Sequence, residues 1–537
     1  MLATELYVGT NATRLASPEN AANIESRLPV DLVLANAIAA ALLAIWVGFF
    51  FSGLVAANYR DGLCCYADSA FHAHVAKNFA FGHGYSTSLD ANIPGGFSAF
   101  DPKVQAGPVV IFPAALLIRF FGNLYWVPGL ATILSIFGLG LCLFLLHLRQ
   151  QRLWQASLYL LTFLFIAYAA PAQSQGEWYA LMGEIPAGLL AVLGISLVAS
   201  DSRRTIALGT LLMGCATHAK ILALLPCVPA LAWVVISDWR RHGPLSAIIT
   251  ASRTATLLLL PWGLLLLWQL CSLGMAAFVG LQLMTFKTIV AHPGIVGITP
   301  GILARISTHA AQFEVDNGFS LLTMAGLGAL SFLVIWRLGE TIAKRRAALL
   351  LIASILHFTW WLALSNGWQR YTLLGFMTYA AGISLAVISP RAKLGFGIAA
   401  LLIVGTNLGL VPASRRPANS LHPADFERSE RLQHLLQAVD VLKQLRAQRP
   451  FVSGFWAPMV DLEYLLPDSA NFVPYLGISS EAGSRTFILA YNAQYLQWSW
   501  PPSDVTELQK QCLDIYAAEP YYIKRCVAQA ADVHRAP

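Results

Sequence analysis

Apolar runs dominate the first 411 residues, and what interrupts them is short and mostly basic. The runs predict membrane-spanning helices at 34–57, 124–147, 154–171, 184–199, 205–217, 221–237, 254–273, 318–336, 347–364, 371–388 and 394–411. Most are long enough for a hydrocarbon layer of about 30 Å. Basic residues concentrate on the cytoplasmic side of such helices. Here they cluster at Arg149 and Arg152, Arg203 and Arg204, Arg240 and Arg241, Arg337 with Lys344, Arg345 and Arg346, and Arg391 with Lys393. Counting from a cytoplasmic N-terminus, every cluster falls inside, provided that 106–121 does not cross. That stretch is short, contains Pro113 and Arg119 and begins at Gly107-Pro108, so it reads as a re-entrant or membrane-skimming helix. Eleven spans result, with 58–123, 172–183 and 274–317 outside.

The segment 205–237 lies between two arginine pairs, so it must leave and return. Two full helices would take about 40 residues. The segment is shorter, which predicts two short helices meeting at Thr217-His218-Ala219-Lys220 below the outer surface. An ionisable pair at that depth is costly unless it borders a cavity or an anion.

Composition sharpens this into a domain plan. The chain of 537 residues is 57% hydrophobic and only 12% charged, about half the charge of a soluble protein. A water-soluble enzyme, a disordered chain and a collagen are excluded. Residues 412–537 differ, with 12 Lys/Arg and 13 Asp/Glu, the composition of a water-exposed unit. The plan is a cytoplasmic segment 1–33, an all-α transmembrane domain 34–411 with outer loop 58–123, and an outer domain 412–537. The pI near 9.0 reflects Lys/Arg at span ends and gives no sign of a nucleic-acid partner. The N-terminus lacks the pattern of a cleaved signal peptide, so the first span is expected to act as the signal anchor. In the outer domain the pattern predicts a helix at 425–447, strands at 451–455, 471–475 and 485–491, and a helix at 504–518 behind Pro501-Pro502-Ser503. That is a small α/β domain. Cys512 and Cys526 both lie in it, where a disulfide is permitted.

Candidate chemistry gathers on the outer side. Tyr66-Ala67-Asp68-Ser69-Ala70-Phe71-His72 follows the first span closely, and Asp68 and His72 recur at helical spacing. A carboxylate at the rim of a lipid-facing cavity can serve as general base for a hydroxyl; the plainer alternative is a helix-capping loop aspartate. Lys220 at a helix break asks for a countercharge, which a phosphate would supply with His218 nearby; the alternative is a snorkelling lysine. Arg370, beside Tyr371, ends a span on the side where arginine is disfavoured; the alternative is an ordinary interfacial anchor in an aromatic belt. Glu177 and Glu184 flank the outer end of another span, where Glu184 could orient a sugar hydroxyl or hold Lys220. Asp101 and Lys103 precede the skimming helix. His292, Arg305, His309 and Glu314 have weaker claims. No metal-binding spacing or phosphate-binding glycine loop is present.

Taken together, the arrangement resembles the GT-C superfamily of membrane glycosyltransferases. The nearest likeness is to the bacterial lipid A aminoarabinose transferases and protein O-mannosyltransferases. Tyr66 to His72 resembles the start of their first outer loop. Ala76-Lys77-Asn78-Phe79-Ala80-Phe81-Gly82-His83-Gly84-Tyr85 resembles its continuation, and Phe100 through Gly122 the approach to the next span. The resemblance implies Asp68 as catalytic base, with Lys220 and Arg370-Tyr371 at the donor phosphate and His218 assisting. His72, Asp101, Lys103, Glu177 and Glu184 are left for sugar or acceptor. Ser69 stands where the commonest version has a second acidic residue, which makes a metal-assisted mechanism less attractive. No cofactor is expected. The implied donor is a sugar on a polyprenyl phosphate, and the acceptor an envelope glycan, glycolipid or protein at the outer face of a bacterial inner membrane. A polytopic lipid ligase or phosphotransferase, or a transporter of envelope lipids, is the rival reading.

Overall fold

The computed structural model describes residues 30–63, 67–87, 97–102, 104, 106–169, 178–291, 301–317, 321–388, 391–408, 423–445, 451–453, 460–466, 472–474, 486–493 and 512–527. Lys103, Glu177, His292 and residues 502–511 lie outside them. The chain opens with α1 (Val30–Asp61) and the shorter α2 (Ala67–Ala80), followed by a two-stranded ribbon of β1 (Ser86–Thr87) and β2 (Ser98–Ala99). Then come α3 (Pro108–Phe121), α4 (Val127–Leu148), α5 (Leu153–Ala169), α6 (Glu184–Val198), α7 (Arg203–Ala219) and α8 (Leu224–His242). The bundle is completed by α9 (Pro244–Leu273), α10 (Met275–Ala291), α11 (Ile302–Asn317), α12 (Leu321–Leu338), α13 (Thr341–Leu364), α14 (Thr372–Ser384) and α15 (Ala392–Leu408). Six helices are long and apolar enough to cross a membrane by length and composition. α3 is among the shorter apolar ones, with Pro113 inside it.

Two helices form the centre. Every residue of α6 and of α14 is buried, as expected of helices apolar around their whole circumference. α6 and α7 approach so closely that a Cβ on Gly194 would lie 2.8 Å from the Gly209 carbonyl oxygen. A larger residue there would push the pair apart. α7 stops at Lys220, whose backbone is extended (φ −151°, ψ 119°), and a 3₁₀ turn Ile221–Ala223 leads into α8. Pro226 lies in the first turn of α8, where its missing N–H prevents one unbroken helix. The break expected at Thr217–Lys220 is present, but only the first leg is short: Ile221–His242, with 22 residues, is long and apolar enough to cross a membrane.

Two expectations need correction. The segment 274–317, expected to be an outer loop, contains α10 and α11. Gly274, at φ 74°, turns the chain between α9 and α10, and a helix this short is missed when spans are sought by length. In the C-terminal part, 512–518 is a strand, not the end of a helix. α16 (Pro423–Leu445) and the short α17 (Val460–Leu465) accompany β3 (Phe451–Ser453), β4 (Phe472–Pro474), β5 (Thr486–Asn492), β6 (Cys512–Ala518) and β7 (Tyr521–Val527). The sheet order is β4-β3-β5-β7-β6, with β3 parallel to both neighbours and β7 antiparallel to β5 and β6. Cys512 faces Cys526 across the β6–β7 pair and is disulfide-bonded to it. Pairing with β7 overrides the local helical pattern, because strand preference follows neighbours.

Candidate active site

The starts of the two central helices and the break at Lys220 face α2, and their charged residues meet there. Glu184 is the first residue of α6, behind Gly183. A carboxylate at that position faces unsatisfied backbone N–H groups and the positive end of the helix dipole. Lys220 Nζ lies 2.9 Å from Glu184 Oε1, with both side chains buried. Arg370, in a 3₁₀ turn just before α14, donates from Nη1 to Asp68 Oδ2 at 2.6 Å and brings Nε to 4.0 Å from Glu184 Oε1. The Lys220–Glu184 contact is ionic, without hydrogen-bond alignment. Asp68, Arg370, Glu184 and Lys220 thus form one chain of alternating charge, drawn from four separate segments. Its formal charge sums to zero.

Burial opposes ionisation of Asp68, but above all the Arg370 charge, then the Arg370 hydrogen bond and the Lys220 charge, outweigh it, and the carboxyl is held below its ordinary 3.8. It is ionised at neutral pH. Arg370 is steadied by aromatic faces, its guanidinium carbon 4.6 Å from the Trp368 ring centroid and 5.3 Å from that of Tyr371. Tyr371 is fixed in turn by His357 Nε2, 2.6 Å from its carbonyl oxygen.

His72 has a different task from the one expected. Its Nδ1 lies 2.8 Å from the Leu181 carbonyl oxygen, and its Nε2 accepts from the Ala106 N–H at 3.2 Å. The neutral tautomer with hydrogen on Nδ1 satisfies both contacts, so neither nitrogen is left for a sugar. Burial, then the Lys220 charge, depresses His72 to about 4. Ser69 works beside it, accepting from the Leu181 N–H at 2.9 Å. These two residues dock α2 onto the segment before α6. Sequence reasoning noticed Ser69 only as a missing carboxylate.

The remaining expected residues are scattered. Asp101 accepts from the Thr87 hydroxyl at 2.9 Å and braces the β1–β2 ribbon. His218 is buried, edge-on to Trp262 at 5.1 Å, and a Cβ on Gly107 would collide with its carbonyl oxygen. No contact joins it to the four charged residues among the described ones. Arg305 and His309 reach the Ala363 and Leu362 carbonyls, holding α11 to α13 instead of serving this site. Among the described residues, no group of three or more His, Cys, Asp or Glu is placed to hold a metal ion.

No protein-family profile matches the sequence, and no curated protein is similar to it in sequence. Its shape is more informative. The crystal structure of ArnT from Cupriavidus metallidurans bound to undecaprenyl phosphate superposes with TM-score 0.56 at 12% identity, over 91% of this chain and 98% of that one. The apo form of the same ArnT gives the same values. The chain shares the fold of that ArnT. The archaeal oligosaccharyltransferase AglB from Archaeoglobus fulgidus, with an inhibitory peptide and a dolichol-phosphate, gives TM-score 0.47 at 10% identity, over 92% of this chain and 77% of that one. Within this fold the present chain brings Asp68, Arg370, Glu184 and Lys220 together where α2, α6, α7 and the approach to α14 converge.

Proposed function

We propose that the protein is an inverting membrane glycosyltransferase. It would move a sugar from a polyprenyl-phosphate donor to an envelope glycan, glycolipid or protein at the outer face of a bacterial inner membrane. The observation that carries this reading is the alternating chain Asp68–Arg370–Glu184–Lys220, set in a fold shared with an ArnT bound to undecaprenyl phosphate. The division at 34–411 and 412–537 is kept, with the second part outside.

The geometry supports the following chemistry. Arriving phosphate competes with Glu184 for Lys220 and with Asp68 for Arg370. As Arg370 turns to the phosphate, Asp68 loses the charge that depressed it and becomes a stronger base. It then takes the proton of the acceptor hydroxyl while that oxygen bonds to the anomeric carbon from the face opposite the phosphate. The bond between that carbon and the phosphate oxygen breaks, and the lipid phosphate leaves with a second negative charge. Lys220 and Arg370 stabilise that charge as it develops. Proton transfer to Asp68 removes one negative charge as departure creates one, so the net charge of the buried site stays constant.

The test uses purified protein in lipid nanodiscs with a radiolabelled polyprenyl-phosphate sugar and an envelope extract. Transfer of label to an extract component, with inverted configuration, is expected. Donor movement across the bilayer without cleavage would favour a transporter and overturn the reading.

A further inference from the structure

We propose that the C-terminal domain takes part in catalysis by holding the helix that carries the base, and that Lys77 is the positioning residue through which it does so. The proposal rests on the reading of Asp68 as that base. α2 carries two polar sets. Asp68, Ser69 and His72 belong to the charged site and its docking contacts, whereas His74, Lys77 and Asn78 meet the C-terminal domain and the ribbon.

The Lys77 side chain is buried, and its ammonium donates to the carbonyl oxygens of Glu463 and Leu466 (2.7 Å to the latter). Those carbonyls lie in and just beyond the last turn of α17, where a helix leaves acceptors unsatisfied. Asn123, between α3 and α4, donates to the Tyr464 and Leu466 carbonyls at 2.8 and 3.1 Å, and the Tyr464 hydroxyl donates back to the Leu124 carbonyl at 3.1 Å. His74 Nε2 lies 3.6 Å from Glu463 Oε1 and 3.1 Å from Asn78 Nδ2.

The start of α17 is anchored just as firmly. Buried Asp461 accepts from the Tyr521 hydroxyl at 2.7 Å and from Asn492 Nδ2 at 3.1 Å, which ties α17 to β7 and β5. A continuous run of buried hydrogen bonds therefore links the sheet to α17 and α17 to Lys77 of α2, five residues past His72. Burying an ammonium is tolerable only while such acceptors surround it. Release of Lys77 would remove the C-terminal domain's hold on the end of α2 while Ser69 and His72 keep its start docked, and a small tilt between the two displaces Asp68 relative to Arg370.

The test compares Lys77→Met with Asp68→Asn and with the double variant. At saturating donor, Lys77→Met is expected to lower turnover by about 10- to 100-fold, the scale of an ångström-level misplacement, with donor binding at the wild-type level. Because Lys77 acts through Asp68, Lys77→Met should add no further loss in the Asp68→Asn background. Equal proportional losses in both backgrounds would overturn the proposal. So would full turnover by Lys77→Met beside an inactive Asp68→Asn, and in that case the base assignment stands. Full turnover by Asp68→Asn removes the base assignment and this proposal with it. If Lys77→Met does not fold, Asn123→Ala, which acts on the same carbonyls from the other side, is read by the same criteria.

Discussion

Four charged side chains gathered in a largely buried site are costly unless their charges alternate, and Asp68 and Lys220 carry opposite signs in that chain. Asp68→Asn keeps the size and much of the hydrogen bonding but cannot accept a proton. Turnover should fall by roughly 10²- to 10⁴-fold while donor still binds. Lys220→Ala removes the cation proposed to face phosphate before and during reaction, so donor affinity and turnover should fall together. Equilibrium binding of labelled polyprenyl phosphate, measured beside single-turnover rates, separates the two outcomes; identical patterns would mean that the roles are misassigned. His72 adds a pH dependence. Unfolded, it takes a proton below its ordinary 6.5, whereas folded it refuses one until about 4. Its contribution to stability is therefore complete above 6.5 and is lost as pH falls towards 4. The thermal midpoint of the wild type should drop more between pH 7 and pH 5 than that of His72→Gln; equal drops would refute the account. Asp68 and Lys220 were legible in the sequence because a chain that spends charge so sparingly makes each outer charge conspicuous. Lys77 was not, because its acceptors lie 386 and 389 positions away and are backbone carbonyls, which no sequence pattern reveals.

Among the elements, the junction of α3, α6 and α7 determines where Lys220 sits. The Gly107 N–H points to the Ala219 carbonyl oxygen at 3.4 Å, and a Cβ on Gly183 would lie 2.8 Å from that oxygen. A Cβ on Gly107 would overlap the His218 carbonyl oxygen, and backbone cannot yield as a side-chain tip can. Gly107→Ala is therefore expected to cost about 1–3 kcal/mol of stability and to weaken donor binding, since the displaced segment leads directly into Lys220. Unfolding in detergent and lipid-phosphate binding report the two effects, and a variant unchanged in both would show that the junction has slack. The break itself could be anticipated from the small space between two arginine pairs, although the helices extend through those pairs and the second leg is longer than that spacing suggested. The strand at 512–518 could not. Its partner β7 and the Cys512–Cys526 bond decide its conformation, whereas the pattern within 504–518 alone suited a helix. α10 and α11 were overlooked for a related reason, being too short and too mixed to register as spans.

At the scale of the whole molecule, two sets of contacts report on sidedness. One joins connectors that the positive-inside rule assigns to the cytoplasm: Asp201 receives Arg241 and Arg345, and Gln151 donates to Glu340 at 3.4 Å. These residues belong to the α4–α5, α6–α7, α8–α9 and α12–α13 turns, which must therefore lie at one end of the bundle. The other set is the Asp68–Arg370–Glu184–Lys220 chain, at the opposite ends of α6 and α7. Arg346 marks the difference within a single turn of helix. Its neighbour Arg345 reaches exposed Asp201, while Arg346 turns inward and donates to the Ser196 carbonyl oxygen at 2.9 Å near the end of α6, where a cation suits the negative end of the dipole. Arginine-rich turns at one end and the charged site with its docked C-terminal domain at the other are the arrangement that the proposed outward-facing site requires under the positive-inside rule. Single cysteines at Gln150 and Ser202, in a variant lacking the free native cysteines, should then react with a membrane-impermeant thiol reagent only when it reaches the cytoplasmic face. A cysteine at Asp514, on the sheet, should react only from outside. Labelling of either turn from outside would reverse the molecule in the membrane, and a donor on the outer leaflet could no longer reach Asp68.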